Sequence, residues 1–326
     1  MAKYPQDHDN PCAYCKESNS LVLYPTSDIR NHPYTLNQCL QCKAVFLAPR
    51  PDAQRLSEAY DDTYYGEKQD KFSMPMIEKS LDFFRMGRAR RLSSFLHAGA
   101  SILDIGCGNG KFLWYMTQLG DYKIHGIELP GNSALRAAKI PGIQLNIGRI
   151  QADLFSAASF DAVSLFHVFE HLEEPRETLD IIDKILKPGG ILMMSFPNIN
   201  SLQSGIFKGK WLHLDPPRHL FFFRPADIGR IMEDKGYDIK RIRYASLEQN
   251  PFGMVQSILN CILKKREVLF ERLKGNMAYA PEYGPFSIAF QKLFFVLASP
   301  LFILSDILVS SLKKGATVEF VFQKRK

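Results

Sequence analysis

The 326-residue sequence lacks internal repeats, low-complexity tracts and any uninterrupted apolar run of the roughly 20 residues that span a bilayer. Its first twelve residues, MAKYPQDHDNPC, lack the apolar stretch of a secretory signal. A strong excess of either charge sign is also missing, since 41 Lys and Arg against 34 Asp and Glu give a mild net charge of +7, so charge alone names no partner. These features predict a folded cytoplasmic chain with reduced thiols, and the length predicts more than one domain.

Four of the six cysteines form two Cys-x2-Cys pairs. Cys12 and Cys15 are the first pair, and Cys39 and Cys42 follow 23 residues later. This spacing is typical of two knuckles that offer four thiolates to one tetrahedral ion, for which zinc is the best candidate. Because four sulfurs leave no open coordination position, we expect a structural metal that helps a small ribbon at residues 1–50 to fold. A redox pair and two disulfides are the alternatives, and a reducing compartment disfavours the disulfides.

From residue 101 the sequence alternates short apolar strands with helical stretches. Such alternation predicts parallel strands, helices on both faces of the sheet and right-handed crossovers. The predicted fold class is therefore α/β, with a Rossmann-like, doubly wound, mostly parallel sheet of seven strands. The strands legible in the sequence lie at residues 102–105, 124–127, 162–166, 191–196, 237–244 and 317–323, with a helix at 225–235.

Changes in composition divide the sequence into five predicted segments. The first is rich in Cys, Pro and Asn, the second reads as helices, and a strongly apolar stretch separates the last two strands. The segments are a zinc ribbon at residues 1–50, a helical connector or lid at 51–97, a sheet core at 98–249, a hydrophobic helical insertion at 250–315 and the last core strand at 316–326.

A loop with three alternate glycines, Gly106, Gly108 and Gly110, connects the first core strand to a helix. Such glycines let the backbone turn sharply and approach a ligand, while the N–H groups of the new helix favour an anion. The spacing differs from the Gly-x-Gly-x-x-Gly dinucleotide pattern. The next strand ends in Glu128, whose carboxylate can accept hydrogen bonds from both hydroxyls of a ribose. Together these features predict a nucleoside site, and a tight turn without a ligand is the alternative.

The same residues resemble the class I S-adenosylmethionine-dependent methyltransferases. The resemblance rests on the loop from Asp104 to Gly110, on Glu128, on the strand at 160–163 and on Leu186-Lys187-Pro188-Gly189-Gly190 before a further strand. It covers roughly residues 95–245 and the last strand. The resemblance implies S-adenosylmethionine as cofactor, with Asp104 orienting the loop and Glu128 holding the ribose. The other cofactor-binding residues that it implies are Gly106, Cys107, Gly108, Gly110, Leu129, Asp153 near the adenine, and His167.

Two histidines and a glutamate follow the predicted strand at 162–166, as His167-x-x-Glu170-His171. This is also the inverzincin protease signature, but that signature needs a long helix, whereas here an apolar strand precedes it and a proline follows four residues later. The chain further resembles zinc-bearing sugar methyltransferases, which implies Glu170 and His171 as base and orienter. His213 and His219, which follow the predicted strand at 191–196, are additional catalytic candidates. Packing or capping is the alternative role for each histidine.

The insertion at residues 250–315 combines an amphipathic, basic helix with a more apolar stretch. Between Lys292 and Asp306 lie 13 uncharged residues, interrupted by Pro300, which we expect to be too short to cross a bilayer. A last strand that rejoins the sheet would also exclude a single crossing. Peripheral contact with the inner face of a membrane, a homodimer interface and a closed core stay open.

The predicted function is methyl transfer from S-adenosylmethionine to a small molecule, a sugar or a lipid-linked glycan. An RNA-modifying or nucleic-acid-binding protein is one alternative, although the basic residues are scattered among apolar helices rather than gathered on one face. A catalytically silent, membrane-associated scaffold is the other alternative.

Overall fold

The computed structural model describes residues 6–7, 9–59, 75–274 and 283–326. Part of the predicted connector, residues 60–74, and His8 lie outside the described residues. The described strands are β1 (Gln6–Asp7), β2 (Ser20–Ser27), β3 (Pro33–Cys39), β4 (Val45–Ala48), β5 (Ser101–Ile105), β6 (Lys123–Glu128), β7 (Gln144–Ile147), β8 (Phe160–Phe166), β9 (Leu186–Pro197), β10 (Phe221–Phe222), β11 (Tyr237–Arg243) and β12 (Thr317–Lys324).

Helices occur in each of the regions where the sequence predicts them. The described helices are α1 (Ala53–Ala59), α2 (Pro75–Ser93), α3 (Lys111–Thr117), α4 (Asn132–Ala137), α5 (Pro175–Ile185), α6 (Leu202–Phe207), α7 (Pro225–Asp234), α8 (Asn250–Ile262), α9 (Val268–Lys274) and α10 (Pro285–Ser311).

The chain divides into two compact units. The first comprises the described residues of 1–64 with Pro197–Ile228 and Arg243–Val318. The second comprises the described residues of 65–196 with Gly229–Ile242 and Glu319–Lys326. The five segments predicted from composition have other boundaries, and their division of the chain stays a prediction.

The second unit is built on a seven-stranded sheet in the order β11-β12-β9-β8-β5-β6-β7. The pairs β5 with β6, β5 with β8, β6 with β7 and β8 with β9 are parallel. This sheet confirms the predicted α/β class and the seven-stranded, mostly parallel arrangement. β7 was missing from the predicted strands because its four residues alternate polar and apolar side chains and are only partly buried at the edge of the sheet.

The core of the second unit lies on both faces of this sheet. Ile102, Leu103 and Ile105 are buried on the central strand β5, as expected for a strand covered on both faces. Leu92 of α2 and Met116 of α3 belong to the same apolar cluster. The buried strands place their carboxyl ends along one edge, where ligands bind in sheets of this kind.

The first unit contains a five-stranded sheet in the order β1-β2-β3-β4-β10, with antiparallel pairings throughout. The sequence predicted none of β1, β3 and β10 as strands. The sequence of β3, PYTLNQC, reads as polar, yet Tyr34 and Leu36 alternate into the core. The strand β10 pairs with β4, so that Phe221 lies opposite Phe46. A long stretch of chain separates these two strands, and periodicity could not have shown that they pair.

Helices α8, α9 and α10 form a second apolar cluster in the first unit. Val255, Leu259 and Leu269 are fully buried there, and Phe295 and Phe302 of α10 pack against them. Helices therefore account for most of the described residues in the region predicted to be a helical insertion, whose bounds stay a prediction.

Candidate active site

The loop after β5 turns through three glycines in the left-handed region, with φ of 70° at Gly106, 59° at Gly108 and 75° at Gly110. A Cβ at Gly106 would come within 2.4 Å of a methyl carbon of Val168, so only glycine fits there. Within the described residues, nothing lies within 4 Å of a Cβ built at Gly108. The loop therefore presents backbone to open space at its centre, which fits a closely approaching ligand.

Glu128, at the end of β6, faces this loop. Its Oε2 accepts a hydrogen bond from the backbone N–H of Gly108 at 2.6 Å, although the two residues are 20 positions apart in the chain. The side chain is 7 % exposed. The predicted pairing of a glycine loop with an acid on the next strand is thus present in the structure.

Asp104 lies one strand position before the loop and is fully buried. Its Oδ1 accepts a hydrogen bond from the hydroxyl of Ser164 on β8 at 2.7 Å. Burial raises the pKa of Asp104 to about 7, against the smaller lowering effects of Ser164 and of the Arg88 guanidinium. A carboxyl group with this pKa changes charge near neutral pH, two residues before Gly106 of the loop.

Ser164 was not among the predicted site residues. The parallel register of β5 and β8 places Ser164 directly beside Asp104. A polar residue in the otherwise apolar strand FDAVSLF was the available signal. Arg88 of α2 was also missed, and its guanidinium lies over the ring of Phe166, 5.2 Å from the ring centre.

His167, Glu170 and His171 follow β8 at the ligand edge of the sheet. His167 adopts a positive φ of 55°, which is uncommon for a residue with a side chain. Its Nδ1 lies 3.3 Å from Oε1 of Glu170, whose side chain is 1 % exposed. His171 ends a short 3-10 turn, Phe169–His171, and is half-buried. The structure thus brings His167 and Glu170 together, while the predicted base and orienter roles of Glu170 and His171 stay predictions.

The local backbone here does not form the helix that an inverzincin needs. Only the last three residues of the signature lie in a 3-10 turn, and α5 begins only at Pro175. Proline is favoured at the first position of a helix because it has no N–H to satisfy there. The geometry supports the interpretation of this segment as the end of a sheet strand.

His213 and His219 belong to the first unit and are both 7 % exposed. The ring of His213 packs edge-on against Trp211, with centroids 5.4 Å apart. His219 Nδ1 lies 2.8 Å from the carbonyl oxygen of His213, and the ring packs near Phe222. These contacts give both histidines a packing role within their unit, and their predicted catalytic roles stay predictions.

The remaining predicted cofactor residues differ in exposure. Cys107 is buried in the apolar cluster of the sheet, and burial raises the pKa of its thiol far above the usual range. Leu129 is 37 % exposed directly after Glu128. Asp153 is exposed in the turn before β8. Their roles in binding the cofactor stay predictions.

The four predicted metal ligands come together in the first unit, with all four sulfur atoms within 4.8 Å of one another. The sulfur atoms of Cys12 and Cys42 are 3.5 Å apart, as are those of Cys15 and Cys39. A disulfide would need about 2.0 Å, whereas a tetrahedral zinc ion with bonds of about 2.3 Å holds its sulfurs about 3.8 Å apart. The cluster is consistent with the predicted zinc ribbon, and its thiols are free rather than bridged.

Comparison with known proteins agrees with the geometry of this site. Residues 84–241 match the family model described as a methyltransferase domain. Two bacterial proteins named ubiquinone biosynthesis O-methyltransferase are similar to the chain. The protein from Nitrosospira multiformis is 27 % identical over 174 residues, covering 49 % of this chain and 71 % of that protein. The protein from Paraburkholderia phymatum is 29 % identical over 184 residues, covering 51 % and 78 %.

Among solved structures, a protein of Galdieria sulphuraria assigned as a sarcosine dimethylglycine methyltransferase has a similar fold. The TM-score is 0.50 at 14 % sequence identity, covering 82 % of this chain and 98 % of that one. The sheet order, the glycine loop with its acid and these matches define a class I methyltransferase fold. The chain carries this methyltransferase domain, and its similarity to proteins named O-methyltransferases supports an enzyme that uses S-adenosylmethionine. Between an enzyme and a catalytically silent scaffold, both weighed from the sequence, the comparisons support the enzyme.

Proposed function

We propose that this enzyme transfers the methyl group of S-adenosylmethionine to an oxygen atom of a small-molecule acceptor. The observation that carries the proposal is the His167–Glu170 contact at the ligand edge of the same sheet that holds the cofactor loop. The names of the two bacterial relatives, both O-methyltransferases, support oxygen as the acceptor atom. A sugar or lipid-linked glycan is a narrower hypothesis within this class.

The cofactor half of the site follows from the residues of the second unit. Gly106, Gly108 and Gly110 would bed the methionyl part, Asp104 would hold the loop, and Glu128 would accept the ribose hydroxyls. Glu128 already binds the loop through Gly108, so one carboxylate would tie the loop to the nucleoside. When bound, the cofactor supplies an electrophilic methyl group.

The chain's own task is to align the acceptor and to remove its proton. Glu170, buried and in contact with Nδ1 of His167, would fix the tautomer that leaves Nε2 of His167 available as the base. A carboxylate beside a histidine also stabilises the imidazolium that forms when the acceptor hydroxyl loses its proton. His171, predicted from the sequence as the orienter beside Glu170 as base, is the alternative base.

Single-turnover methylation of a catechol and of a sugar probe, with radiolabelled cofactor, tests this assignment. We expect His167→Gln to lower the rate constant of the labelled transfer by roughly 10²-fold or more, as for loss of a general base. Affinity for S-adenosylhomocysteine, measured by calorimetry, should fall by much less than the rate constant, because His167 is also a predicted cofactor contact. His171→Gln is the matched control. Loss of transfer in the His171 variant, with an unchanged His167 variant, would move the base to His171. A wild-type enzyme that methylates only nitrogen acceptors would contradict the proposal.

We also propose that Cys12, Cys15, Cys39 and Cys42 bind one structural zinc ion. The pKa of Cys12 is lowered to about 6, chiefly by a hydrogen bond with Cys42, whereas burial raises that of Cys15 to about 11. Four adjacent thiols cannot all ionise without a cation, and a divalent ion removes this conflict. A cytoplasmic location, where the thiols stay reduced, fits this site.

A further inference from the structure

The helix α10 presents an unusual surface. Its 27 residues form one continuous helix, with Pro300 inside it. At 1.5 Å per residue it is about 40 Å long, and it is long and apolar enough to cross a membrane. The sequence analysis predicted that the apolar stretch is too short to cross a bilayer, and this prediction of length was wrong. It counted only the uncharged residues after Lys292, whereas the helix begins before Lys292.

The outward stripe of α10 is almost entirely apolar. Only 6 % of its most apolar window is buried. Lys292 is the one charged side chain exposed on α10. Soluble monomers rarely expose contiguous apolar patches of more than a few hundred Å². The large exposed side chains are Phe286, Phe290, Leu293, Val296, Leu297, Leu301, Ile303, Leu304, Ile307 and Leu308.

The opposite face of α10 is held against its own unit. Near the start of the helix Gln291 is fully buried, and Phe295 and Phe302 pack into the cluster with α8 and α9. Near the end, Oδ1 of Asp306 accepts a hydrogen bond from Asn250 on α8 at 2.7 Å. The only acidic residue of the helix therefore faces protein, and α10 lies along the surface of the unit.

The chain on both sides of α10 is also held by this unit. Before the helix, the hydroxyl of Tyr283 accepts a hydrogen bond from the N–H of Lys265 at 2.8 Å. After it, the N–H of Asn198 donates to the carbonyl oxygen of Ala316 at 2.8 Å, and β12 then enters the sheet. A helix whose two ends return to the same compact unit cannot cross a bilayer once. This supports the topological prediction made from the sequence.

The charged residues around α10 distinguish a lipid surface from a second copy of the chain as the partner of its apolar stripe. In residues 250–274 and 283–318, the three acidic residues, Glu267, Glu271 and Asp306, are all buried. Lysines are exposed in the same ranges. A second copy of the chain would place like charges against each other, whereas an anionic lipid surface complements them. The exposed lysines of these ranges include Lys264, Lys292, Lys313 and Lys314.

We propose that α10 docks the first unit on an anionic bilayer, lying in the plane of the lipid headgroups with its apolar stripe inserted and its lysines at the surface. This docking goes beyond the proposed methyl transfer and does not depend on it. Covering the stripe with lipid removes the exposed apolar surface without a crossing.

Flotation of the full chain with lipid vesicles tests the proposal. We expect the protein to float with vesicles of phosphatidylglycerol and phosphatidylcholine, and at least tenfold less with phosphatidylcholine alone. The double variant Leu297→Glu with Leu304→Glu should lose at least tenfold of its binding to the anionic vesicles. Leu135→Glu, at a helix position of similar exposure (64 %) in the other unit, is the matched control and should float like the wild type.

Further measurements distinguish an anionic bilayer from a second copy of the chain as the partner that covers the apolar stripe of α10. Replacing Lys313 and Lys314 by Glu leaves the apolar stripe intact and should weaken binding to anionic vesicles severalfold. The proposal is overturned if the wild type does not float, or if the Leu297/Leu304 variant floats like the wild type. It is also overturned if sedimentation without lipid shows a wild-type dimer that the same variant converts to a monomer, because a second copy would then cover the stripe.

Discussion

Glu128 holds the glycine loop directly, through a 2.6 Å hydrogen bond from the backbone N–H of Gly108. The acid on the second core strand and the loop after the first are therefore joined by a direct hydrogen bond. The residue that we propose to bind a ribose also contacts the loop that we propose to receive the rest of the nucleoside.

Replacing Glu128 by Ala should weaken the binding of S-adenosylhomocysteine by about 1 to 3 kcal/mol, the usual cost of losing a hydrogen bond to a charged group. Glu128→Gln keeps an acceptor for Gly108 and should lose less. Isothermal calorimetry measures both, with the exposed Glu177→Gln on α5 as control. Affinity that is equal in the wild type and in Glu128→Ala would count against the site.

Gly106→Ala should impair the cofactor loop for a steric reason, because its Cβ would lie 2.4 Å from a methyl carbon of Val168. We expect at least a tenfold loss of S-adenosylhomocysteine affinity together with a lower Tm. Gly142→Ala is the matched control, since Gly142 has a similar φ of 77° with no described atom within 4 Å of the new Cβ. Equal effects of the two variants would show that backbone strain alone, and not the Val168 contact, is responsible.

Asp104 should make the stability of the second unit depend on pH. Its pKa is about 7 in the folded chain and near 3.8 in the unfolded one, so between these values only the folded state binds the proton. The free energy of unfolding should therefore fall as pH rises from about 4 to about 7, by on the order of 1 kcal/mol per pH unit, and then level off.

Asp104→Asn removes this titration. The unfolding free energy of the wild type minus that of the variant should therefore fall as the pH rises to about 7 and then stay constant. Urea unfolding at pH 5, 6, 7 and 8 measures it. Ser164→Ala should raise the pKa of Asp104 further, because the Ser164 hydroxyl stabilises the charged form. A constant difference between wild type and Asp104→Asn over this range would refute the assignment.

The four-cysteine cluster should bind one zinc ion per chain, measured by elemental analysis of purified protein. Cys39→Ser should lower the zinc content and the Tm, because the first unit loses a ligand of its structural metal. Cys261→Ser is the control, since Cys261 is exposed and outside the cluster. A wild-type protein that stays metal-free after refolding with zinc, with an unchanged Tm, would overturn the zinc assignment.

Much of the candidate site could be predicted from local sequence patterns. The spacing of the cysteines and of the loop glycines, and the acid at the end of the second core strand, were legible because each is fixed within a few residues or within one strand-to-helix turn. The strands of the parallel sheet were also legible, because strands buried on both faces read as continuous apolar runs. The strands β3 and β7 could not be predicted, because polar and apolar residues are mixed in both of them.

The sequence alone determined the fold class, the glycine loop with its acid and the four-sulfur set, because these depend on short spacings and on hydrophobic patterns. Only the tertiary structure decided that Ser164 meets Asp104, that Glu170 meets His167, that β10 completes the sheet of the first unit and that one stripe of α10 stays uncovered. Strand register and helix packing are set by distant parts of the chain, and no local pattern contains that information.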